Sequence, residues 1–250
     1  MEEMKKIIAI EEASFSYESD RKVFDGISID IYEGESVGII GANGSGKSTL
    51  LKMIAGLLDY DGQIDVSGIR VEKKNLAEVR RKLGLVFQDS DSQLFMPRVY
   101  DDMAFAPRNY GYSEEETEKL VEDALSRLDI EYLKDRPNHK LSGGEKRLVC
   151  IAMILAMKPE VILMDEPSIA LDPYNRRNLI NNLKNIKETR LIASHDLDMI
   201  LETCSRVVLI KGGKIYAEGK PRDILSNQKI LEECHLELPL CLQKPTYYSM

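Results

Sequence analysis

Short runs of apolar, largely β-branched residues recur through the first quarter of the chain. They fall at positions 7–10, 27–31, 37–40 and 64–66. Turn residues such as Glu33-Gly34 and Asp61-Gly62 separate them. Runs this short with such boundaries are typical of strands rather than helices. The pattern therefore predicts a strand-rich N-terminal part.

Later apolar runs at 83–87, 161–164 and 191–193 alternate with longer stretches of helical periodicity. Strands buried on both faces have this continuous apolar character, so these runs predict a parallel sheet. Two further runs, 207–210 and 214–217, flank Gly212-Gly213 and predict a hairpin.

The strand pattern is absent between about residues 89 and 157, where helical spacing replaces it. Ser113 and Glu116 have the spacing of a capping box, and apolar residues follow at helical intervals: Leu120, Val121, Ala124, Leu125 and Leu128. This stretch predicts a helical subdomain inserted into an α/β protein. After about residue 225 the periodicity is lost, which predicts a short helix and a loose tail with the Tyr247-Tyr248 pair.

Composition limits the classes that fit. With 250 residues, 43% of them hydrophobic, the chain can form one large core with a subdomain attached. A net charge of -8 argues against a protein that coats nucleic acid. No run approaches the about 18 apolar residues that span a bilayer, and the N-terminus does not resemble a signal peptide. We therefore expect a water-soluble chain, which could act at a membrane only through another polypeptide.

The cysteines indicate neither disulfides nor a zinc site. They are widely spaced and form no C-x-x-C pair: Cys150, Cys204, Cys234 and Cys241. Cys234 and His235 with Cys241 would make an incomplete ligand set. Reduced thiols are expected.

A glycine-rich segment lies between the run 37–40 and a helical stretch, and it fits the phosphate-binding pattern G-x-x-x-x-G-K-[S/T]. Its residues are Gly41, Ala42, Asn43, Gly44, Ser45, Gly46, Lys47 and Ser48, with Thr49 next. Glycines bring successive backbone N–H groups to an anion at a helix N-terminus. Lys47 would reach the β- and γ-phosphates of a nucleotide, and Ser48 would bind Mg²⁺. This segment alone leaves kinases, small GTPases, helicases and transport ATPases open. An ordinary glycine-rich turn would not need this strand-turn-helix context.

Two adjacent carboxylates, Asp165 and Glu166, follow the run 161–164. Alone they could be a solvated strand end. With the phosphate-binding segment upstream, they predict a Mg²⁺ ligand at Asp165 and a group that activates the attacking water at Glu166.

Residues 141–145 read Leu-Ser-Gly-Gly-Glu and open a helical stretch. With this motif the chain resembles the ATP-binding cassette (ABC) ATPases, although Ser142 and Glu145 could simply cap a helix. The resemblance implies a P-loop NTPase fold over residues 1–225, with an N-terminal antiparallel β subdomain, the inserted helices and a tail at 226–250. It also implies that Ser142, Gly143 and Gly144 act on ATP held by a partner cassette, so that two cassettes enclose two ATP molecules.

The resemblance extends to four single residues. His195, after the run 191–193, matches the histidine that contacts the γ-phosphate and orients the catalytic glutamate. Gln88 matches a residue that touches Mg²⁺ and the attacking water. Tyr17 matches an aromatic ring stacked on adenine, although packing with Phe15 is an alternative. Asp172 matches a residue that joins the two cassettes.

The chain departs mildly from the family pattern at two places. Ile169 replaces a small residue after the two carboxylates. Leu148 occupies a position where many members carry Arg, and the basic residues are instead Lys146 and Arg147. The contacts of this helix are therefore left open.

The segments 87–97, 99–107 and 109–111 resemble the energy-coupling factor group, importers of cobalt, nickel or vitamins. Such importers combine two cassettes, identical or paralogous, with an integral membrane scaffold and a substrate-capturing subunit at the cytoplasmic face of the membrane. Four apolar residues would form the docking surface or pack inside the helical subdomain: Leu94, Phe95, Val99 and Phe105.

Two other classes remain. A soluble ABC ATPase acting as a clamp in DNA repair or translation would carry a long coiled-coil insertion or a second cassette, and neither is present. A nucleotide kinase would not explain residues 141–145 or His195.

Overall fold

The N-terminal strands form an antiparallel sheet in the computed structural model, which describes residues 5–18 and 21–244. These strands are β1 (Lys6–Glu18), β2 (Arg21–Tyr32), β4 (Asp61–Val66) and β5 (Ile69–Arg70). Their order is β2-β1-β4-β5, and every neighbouring pair is antiparallel. The predicted antiparallel β subdomain is confirmed.

A second, six-stranded sheet forms the centre of the protein. Its strands are β3 (Ser36–Ile40), β6 (Leu83–Val86), β7 (Val161–Asp165), β8 (Thr189–Ala193), β9 (Arg206–Lys211) and β10 (Lys214–Gly219). The order is β10-β9-β3-β8-β7-β6, with all strands from β9 to β6 parallel. The antiparallel β9–β10 pair turns at Gly212 and Gly213, whose φ angles of 57° and 75° suit glycine. The predicted parallel sheet and hairpin are confirmed.

Helices cover the central sheet and fill the predicted insertion. They are α1 (Lys47–Ile54), α2 (Leu76–Lys82), α3 (Val99–Asn109), α4 (Glu114–Ser126), α5 (Gly143–Ala156), α6 (Pro173–Asn185), α7 (Leu197–Thr203), α8 (Pro221–Leu225) and α9 (Gln228–Glu233). Within residues 5–18 and 21–244, no helix is both long and apolar enough to cross a membrane.

The inserted helices α3, α4 and α5 follow from local sequence signals. Ser113 Oγ accepts a hydrogen bond from the N–H of Glu116, whose carboxylate accepts one from the N–H of Ser113. The α4 residues predicted to be apolar and inward are buried. A second capping box joins Ser142 and Glu145 at the start of α5. Both helix starts are therefore fixed by reciprocal side-chain caps.

The central sheet is buried on both faces. In β7, Ile162 and Met164 pack with the inserted helices, whereas Val161 and Leu163 pack toward the antiparallel sheet and α1. Because successive side chains of a strand point to opposite faces, each strand must be apolar throughout. This burial holds the carboxyl ends of the parallel strands in fixed positions along one edge.

The segment after β10 packs against the same core. Leu231 and Cys234, at the end of α9, belong to the cluster formed by the inserted helices and α7. Farther along, the N–H groups of Leu240 and Cys241 donate to the Asp198 carboxylate on α7, at 2.9 and 3.0 Å. The boundary at residue 225 stays a prediction, and Tyr247-Tyr248 lies outside the described residues. All four cysteines are free thiols.

Candidate functional site

The turn between β3 and α1 requires glycine at two places. A Cβ on Gly41 would lie 2.5 Å from the carbonyl oxygen of Ile210, and one on Gly46 would lie 2.6 Å from the Phe24 ring. The φ angles of these glycines are 153° and 105°. The resulting backbone directs the segment into the N-terminus of α1, where unpaired N–H groups and the helix dipole attract anions.

Lys47, the first residue of α1, is held across this turn. Its Nζ donates to the carbonyl oxygens of Gly41 and Ala42, at 2.9 and 3.2 Å. Burial lowers the pKa of Lys47, and the nearby carboxylates of Glu166 and Asp165 partly oppose this effect. A buried ammonium group whose partners are mainly neutral carbonyls suits the arrival of an anion.

A cleft of about 1080 Å³ opens above this turn, at the carboxyl edge of the central sheet. It brings together most of the residues singled out from the sequence. These are Tyr17, Ala42, Asn43, Gly44, Ser45, Gly46, Lys47, Ser48, Thr49, Gln88, Glu166 and His195. Gly41 and Asp165 are not among the lining residues. Gly41 contributes its carbonyl to Lys47, and Asp165 accepts a hydrogen bond from Ser48, which lines the cleft.

Ser48 and Asp165 form an oxygen pair suited to a hard cation. The Ser48 hydroxyl donates to Asp165 Oδ1 at 2.8 Å. Burial raises the pKa of Asp165, partly offset by the Ser48 hydrogen bond. Mg²⁺ prefers such hydroxyl, carboxylate and amide oxygens, and Gln88 supplies an amide to the cleft that Ser48 lines. These residues fit the magnesium ion that the sequence predicts.

Glu166 is fixed by two residues that follow β8. Its Oε2 accepts from Ser194 Oγ at 3.1 Å and from the His195 N–H at 3.2 Å, and His195 Nδ1 lies 2.8 Å away. The Glu166 backbone has a φ of 47°, a conformation that costs a non-glycine residue of order 1–3 kcal/mol. A strained, firmly held carboxylate beside the cleft is the arrangement expected of a group positioned for chemistry.

Tyr17 lies at the rim of the cleft rather than in the core. Its side chain is 61% exposed, whereas Phe15 packs against the buried cluster. The two rings meet edge to face with centroids 4.8 Å apart, and the Tyr17 hydroxyl lies 3.1 Å from Thr49 Oγ1. Tyr17 therefore packs against Phe15, as one interpretation predicted. Its ring is also exposed at the cleft, where the other interpretation requires it for stacking on adenine.

Ser142, Gly143, Gly144 and Asp172 do not line the cleft. Asp172 caps α6 by accepting from the N–H of Asn175 at 2.9 Å. A Cβ on Gly144 would lie 2.3 Å from Cγ of the same Asn175 side chain. The start of α5 and the start of α6 are thus neighbours, and both lie outside the lining of the cleft of their own chain.

Two groups of contacts were not predicted from the sequence. Cys234 and His235, from the end of α9, also line the cleft. They form no metal cluster with Cys241 in the part of the chain that the structure describes. Arg147 of α5 binds the backbone of Gln88. No local sequence pattern predicts either contact, because each depends on how segments far apart in the sequence pack together.

Comparison with known proteins agrees with the site. The ABC transporter family model matches residues 24–169. A Geobacter sulfurreducens protein named as an ABC transporter ATP-binding protein is 44% identical over 238 residues, covering 95% of this chain and 96% of that protein. The energy-coupling factor transporter ATP-binding protein EcfA of Carboxydothermus hydrogenoformans is 39% identical over 244 residues, covering 96% and 90%.

A solved structure gives the same result for the fold. CbiO1 from Clostridium perfringens, described as part of the ABC transporter complex cbiONQ, matches with a TM-score of 0.83 and 36% identity. The match covers 94% of this chain and 96% of that one. The P-loop fold expected from the resemblance is confirmed, and the chain belongs to the ABC transporter family as an ATP-binding subunit that hydrolyses ATP.

Proposed function

We propose that this chain drives an importer of the energy-coupling factor type, which takes up cobalt or nickel ions or a vitamin, from the cytoplasmic face of the membrane. Its similarity to EcfA and to CbiO1 supports this proposal. The observation that carries it is a pair of exposed phenylalanines, Phe95 and Phe105, on the inserted helical region.

Phe95 and Phe105 form an aromatic patch on the inserted helical region. Their side chains are 60% and 41% exposed, and the rings meet edge to face with centroids 5.0 Å apart. Val99 is fully buried and Leu94 is partly buried, so only part of the predicted apolar surface packs inside. Two adjacent exposed phenylalanines are typical of a surface that a partner covers. We assign this patch to an integral membrane scaffold.

Asp102 connects the patch to the motif at the start of α5. Its carboxylate accepts from the N–H groups of Phe95 and Met96, at 3.2 and 3.1 Å, and from the Asn138 amide. Burial raises the pKa of Asp102, opposed by these same donors. Asn138 lies only four residues before Ser142. A partner that moves the patch would therefore move the start of α5 with it.

ATP binding in the cleft follows from the residues gathered there. We assign the phosphates to the N–H groups of residues 43–48 and to Lys47, and adenine to the exposed ring of Tyr17. We assign Mg²⁺ to Ser48, Asp165 and Gln88, where it would neutralise charge on the phosphate oxygens.

Hydrolysis is assigned to Glu166 and His195. Glu166 takes a proton from water as the water oxygen bonds to the γ-phosphorus and the bond to the β–γ bridging oxygen breaks, which releases ADP and phosphate. His195 holds Glu166 through Nδ1, which leaves its other ring nitrogen to contact the γ-phosphate. The remaining charge is stabilised by Lys47 and the backbone N–H groups.

A second cassette completes the site. Ser142, Gly144 and Asp172 lie outside the lining of the cleft of their own chain, which supports a role on nucleotide held by another copy or a paralogue. We assign them to the nucleotide held by that partner, with the N-terminus of α5 facing its γ-phosphate. Two cassettes would close around two ATP molecules and reopen after hydrolysis.

Replacing Tyr17 by Ala should raise the KM for ATP roughly 2- to 12-fold with little change in kcat, because an aromatic stacking pair contributes about 0.5–1.5 kcal/mol. Steady-state ATP hydrolysis at saturating Mg²⁺ measures this effect. Tyr17→Phe is the control, since it keeps the ring and removes the hydroxyl near Thr49. Equal impairment of both variants would assign the effect to the hydroxyl instead of the ring.

Replacing both Phe95 and Phe105 by Ser should release the chain from its membrane partners while leaving ATP binding intact. Burying two aromatic rings contributes several kcal/mol to an interface, so we expect at least a tenfold loss of association. The measurement is recovery of the tagged chain with integral proteins from detergent-solubilised membranes. Tyr132→Ser is the control, because Tyr132 is 62% exposed in the same helical region but outside the patch.

The transport proposal is tested on the purified membrane complex in vesicles. ATP-dependent uptake of radiolabelled Co²⁺, Ni²⁺ or a vitamin, lost in the double Phe variant, would support it. Recovery of the wild-type chain without any integral protein would instead favour the soluble clamp.

A further inference from the structure

Three side chains of α5 contact the loop that follows β6. Lys146 Nζ lies 2.5 Å from Asp91 Oδ1, and Cys150 Sγ lies 3.8 Å from the carbonyl oxygen of Ser90. Between them, Arg147 donates from Nη1 to the carbonyl oxygen of Phe87 and from Nη2 to that of Gln88, both at 2.6 Å. The first part of this loop, residues 87–91, is thus attached to one helix.

Among these three residues, Arg147 is the charged one that is buried. The residue is 3% exposed, and among the described residues no carboxylate lies within salt-bridge distance of its guanidinium. Burial lowers the pKa of Arg147, and its Nε has no hydrogen-bond partner. A buried cation bound only to neutral carbonyls costs folding free energy that an apolar side chain would not. We therefore look for the role of Arg147 in the two carbonyl groups that it binds rather than in stability.

A second arginine shows that burial alone does not indicate a role in the reaction. Arg190 is 7% exposed and donates to the carbonyl oxygens of Ile186 and Thr203, and its Nε also lacks a partner. Those carbonyls lie away from the cleft, at the opposite end of β8 from His195. What distinguishes Arg147 is the identity of its acceptors.

The acceptors of Arg147 flank the side chain that enters the cleft. Two parallel hydrogen bonds from one planar guanidinium fix the orientation of the carbonyls of residues 87 and 88. On the other side of the same peptide segment, the Phe87 N–H donates to the buried side chain of Gln93 at 3.2 Å. Arg147 and Gln93 therefore both hold the backbone at residues 87 and 88, which restricts where the Gln88 side chain can lie.

We propose that Arg147 is a positioning residue that sets the place of Gln88 in the nucleotide cleft according to the position of α5. The inference rests on the role proposed above for Gln88. Arg147 is five residues after Ser142, about 7.5 Å along a rigid helix. A displacement of the N-terminus of α5, where the partner's ATP would bind, is thereby transmitted to the glutamine that serves the chain's own ATP.

A double-mutant cycle on the full chain tests the inference. The variants are Gln88→Ala, Arg147→Met and their combination, with Arg147→Lys as the conservative replacement. Because small misplacements of reacting groups cost up to about 100-fold in rate, each single variant should lower kcat about 10- to 100-fold and leave the KM for ATP nearly unchanged. The combined variant should be no slower than Gln88→Ala alone. Arg147→Lys should recover part of the loss, since an ammonium group can reach one carbonyl.

Amide hydrogen exchange supplies a readout that does not depend on activity. Exchange in residues 87–93 should speed up in Arg147→Met and stay unchanged in Arg190→Met, the control of matched burial. Arg190→Met should also retain kcat despite lower stability.

The outcomes separate the inference from the function it rests on. Losses in kcat that multiply in the combined variant, with Gln88→Ala impaired, would overturn the positioning role alone. Unchanged exchange in residues 87–93 of Arg147→Met would do the same. Full activity of Gln88→Ala would overturn the proposed role of Gln88, and the inference with it.

Discussion

Replacing Glu166 by Gln should reduce ATP hydrolysis about 100- to 10,000-fold, the range that a positioned general base contributes. An amide has the same shape as the carboxylate but cannot take a proton from water. Its oxygen can still accept the hydrogen bonds from Ser194 and His195 that now hold Glu166 Oε2. The site should therefore keep its geometry and bind ATP, while the bond to the γ-phosphate stays intact.

The same variant should accumulate as a dimer that holds ATP. Size-exclusion chromatography with ATP and Mg²⁺, compared with ATP and EDTA, measures this state beside the hydrolysis rate. Glu160→Gln is a matched control, because Glu160 lies directly before the first residue of β7, at the opposite end of the strand from Glu166, and pairs with Lys82. Rapid hydrolysis by Glu166→Gln would refute the assignment of Glu166. Hydrolysis by a wild-type chain that never dimerises would refute the composite site.

Replacing Lys47 by Ala should abolish most ATP binding. Truncating one partner of a buried, hydrogen-bonded charge pair costs about 2–5 kcal/mol, or roughly 30- to 5,000-fold in Kd. In the nucleotide-free protein, burial disfavours the charged form of Lys47 and so lowers its pKa. Phosphate oxygens would supply the negative partner that is needed, so the interaction is strongest with ATP in place.

Equilibrium titration with a fluorescent ATP analogue measures this loss in Lys47→Ala. Lys82→Ala is the control, since Lys82 pairs with Glu160 outside the cleft. Glu166→Gln and Lys47→Ala then separate the two functions of the site, because the first should retain ATP and the second should not. Tight ATP binding by Lys47→Ala would contradict the phosphate assignment.

Much of the fold could be predicted because its signals are local. The glycine pair at 212 and 213 fixes a two-residue turn, and the capping boxes at Ser113 and Ser142 fix the starts of two helices. Strands buried on both faces are uniformly apolar, so they too can be recognised from short windows. Each of these features depends on residues a few positions apart.

The site could be predicted only in part, for a related reason. Gln88, Glu166 and His195 each follow an apolar strand, and parallel strands bring their carboxyl ends to one edge. The motifs therefore predicted that these three side chains lie close together. Arg147 carries no such signal, because its acceptors are backbone carbonyls about sixty residues away that any sequence would provide. The exposure of Phe95 likewise depends on packing rather than on residue type.

The segment after β10 has a practical consequence for work on this protein. Leu231 and Cys234 are buried in the main core, Cys234 and His235 form a wall of the cleft, and Leu240 is hydrogen-bonded to Asp198. Shortening the chain at residue 225 would therefore both uncover apolar surface and widen the nucleotide cleft. Conversely, a fluorophore attached to the exposed Cys241 would lie beside α7, the helix that follows His195, and could report nucleotide occupancy optically.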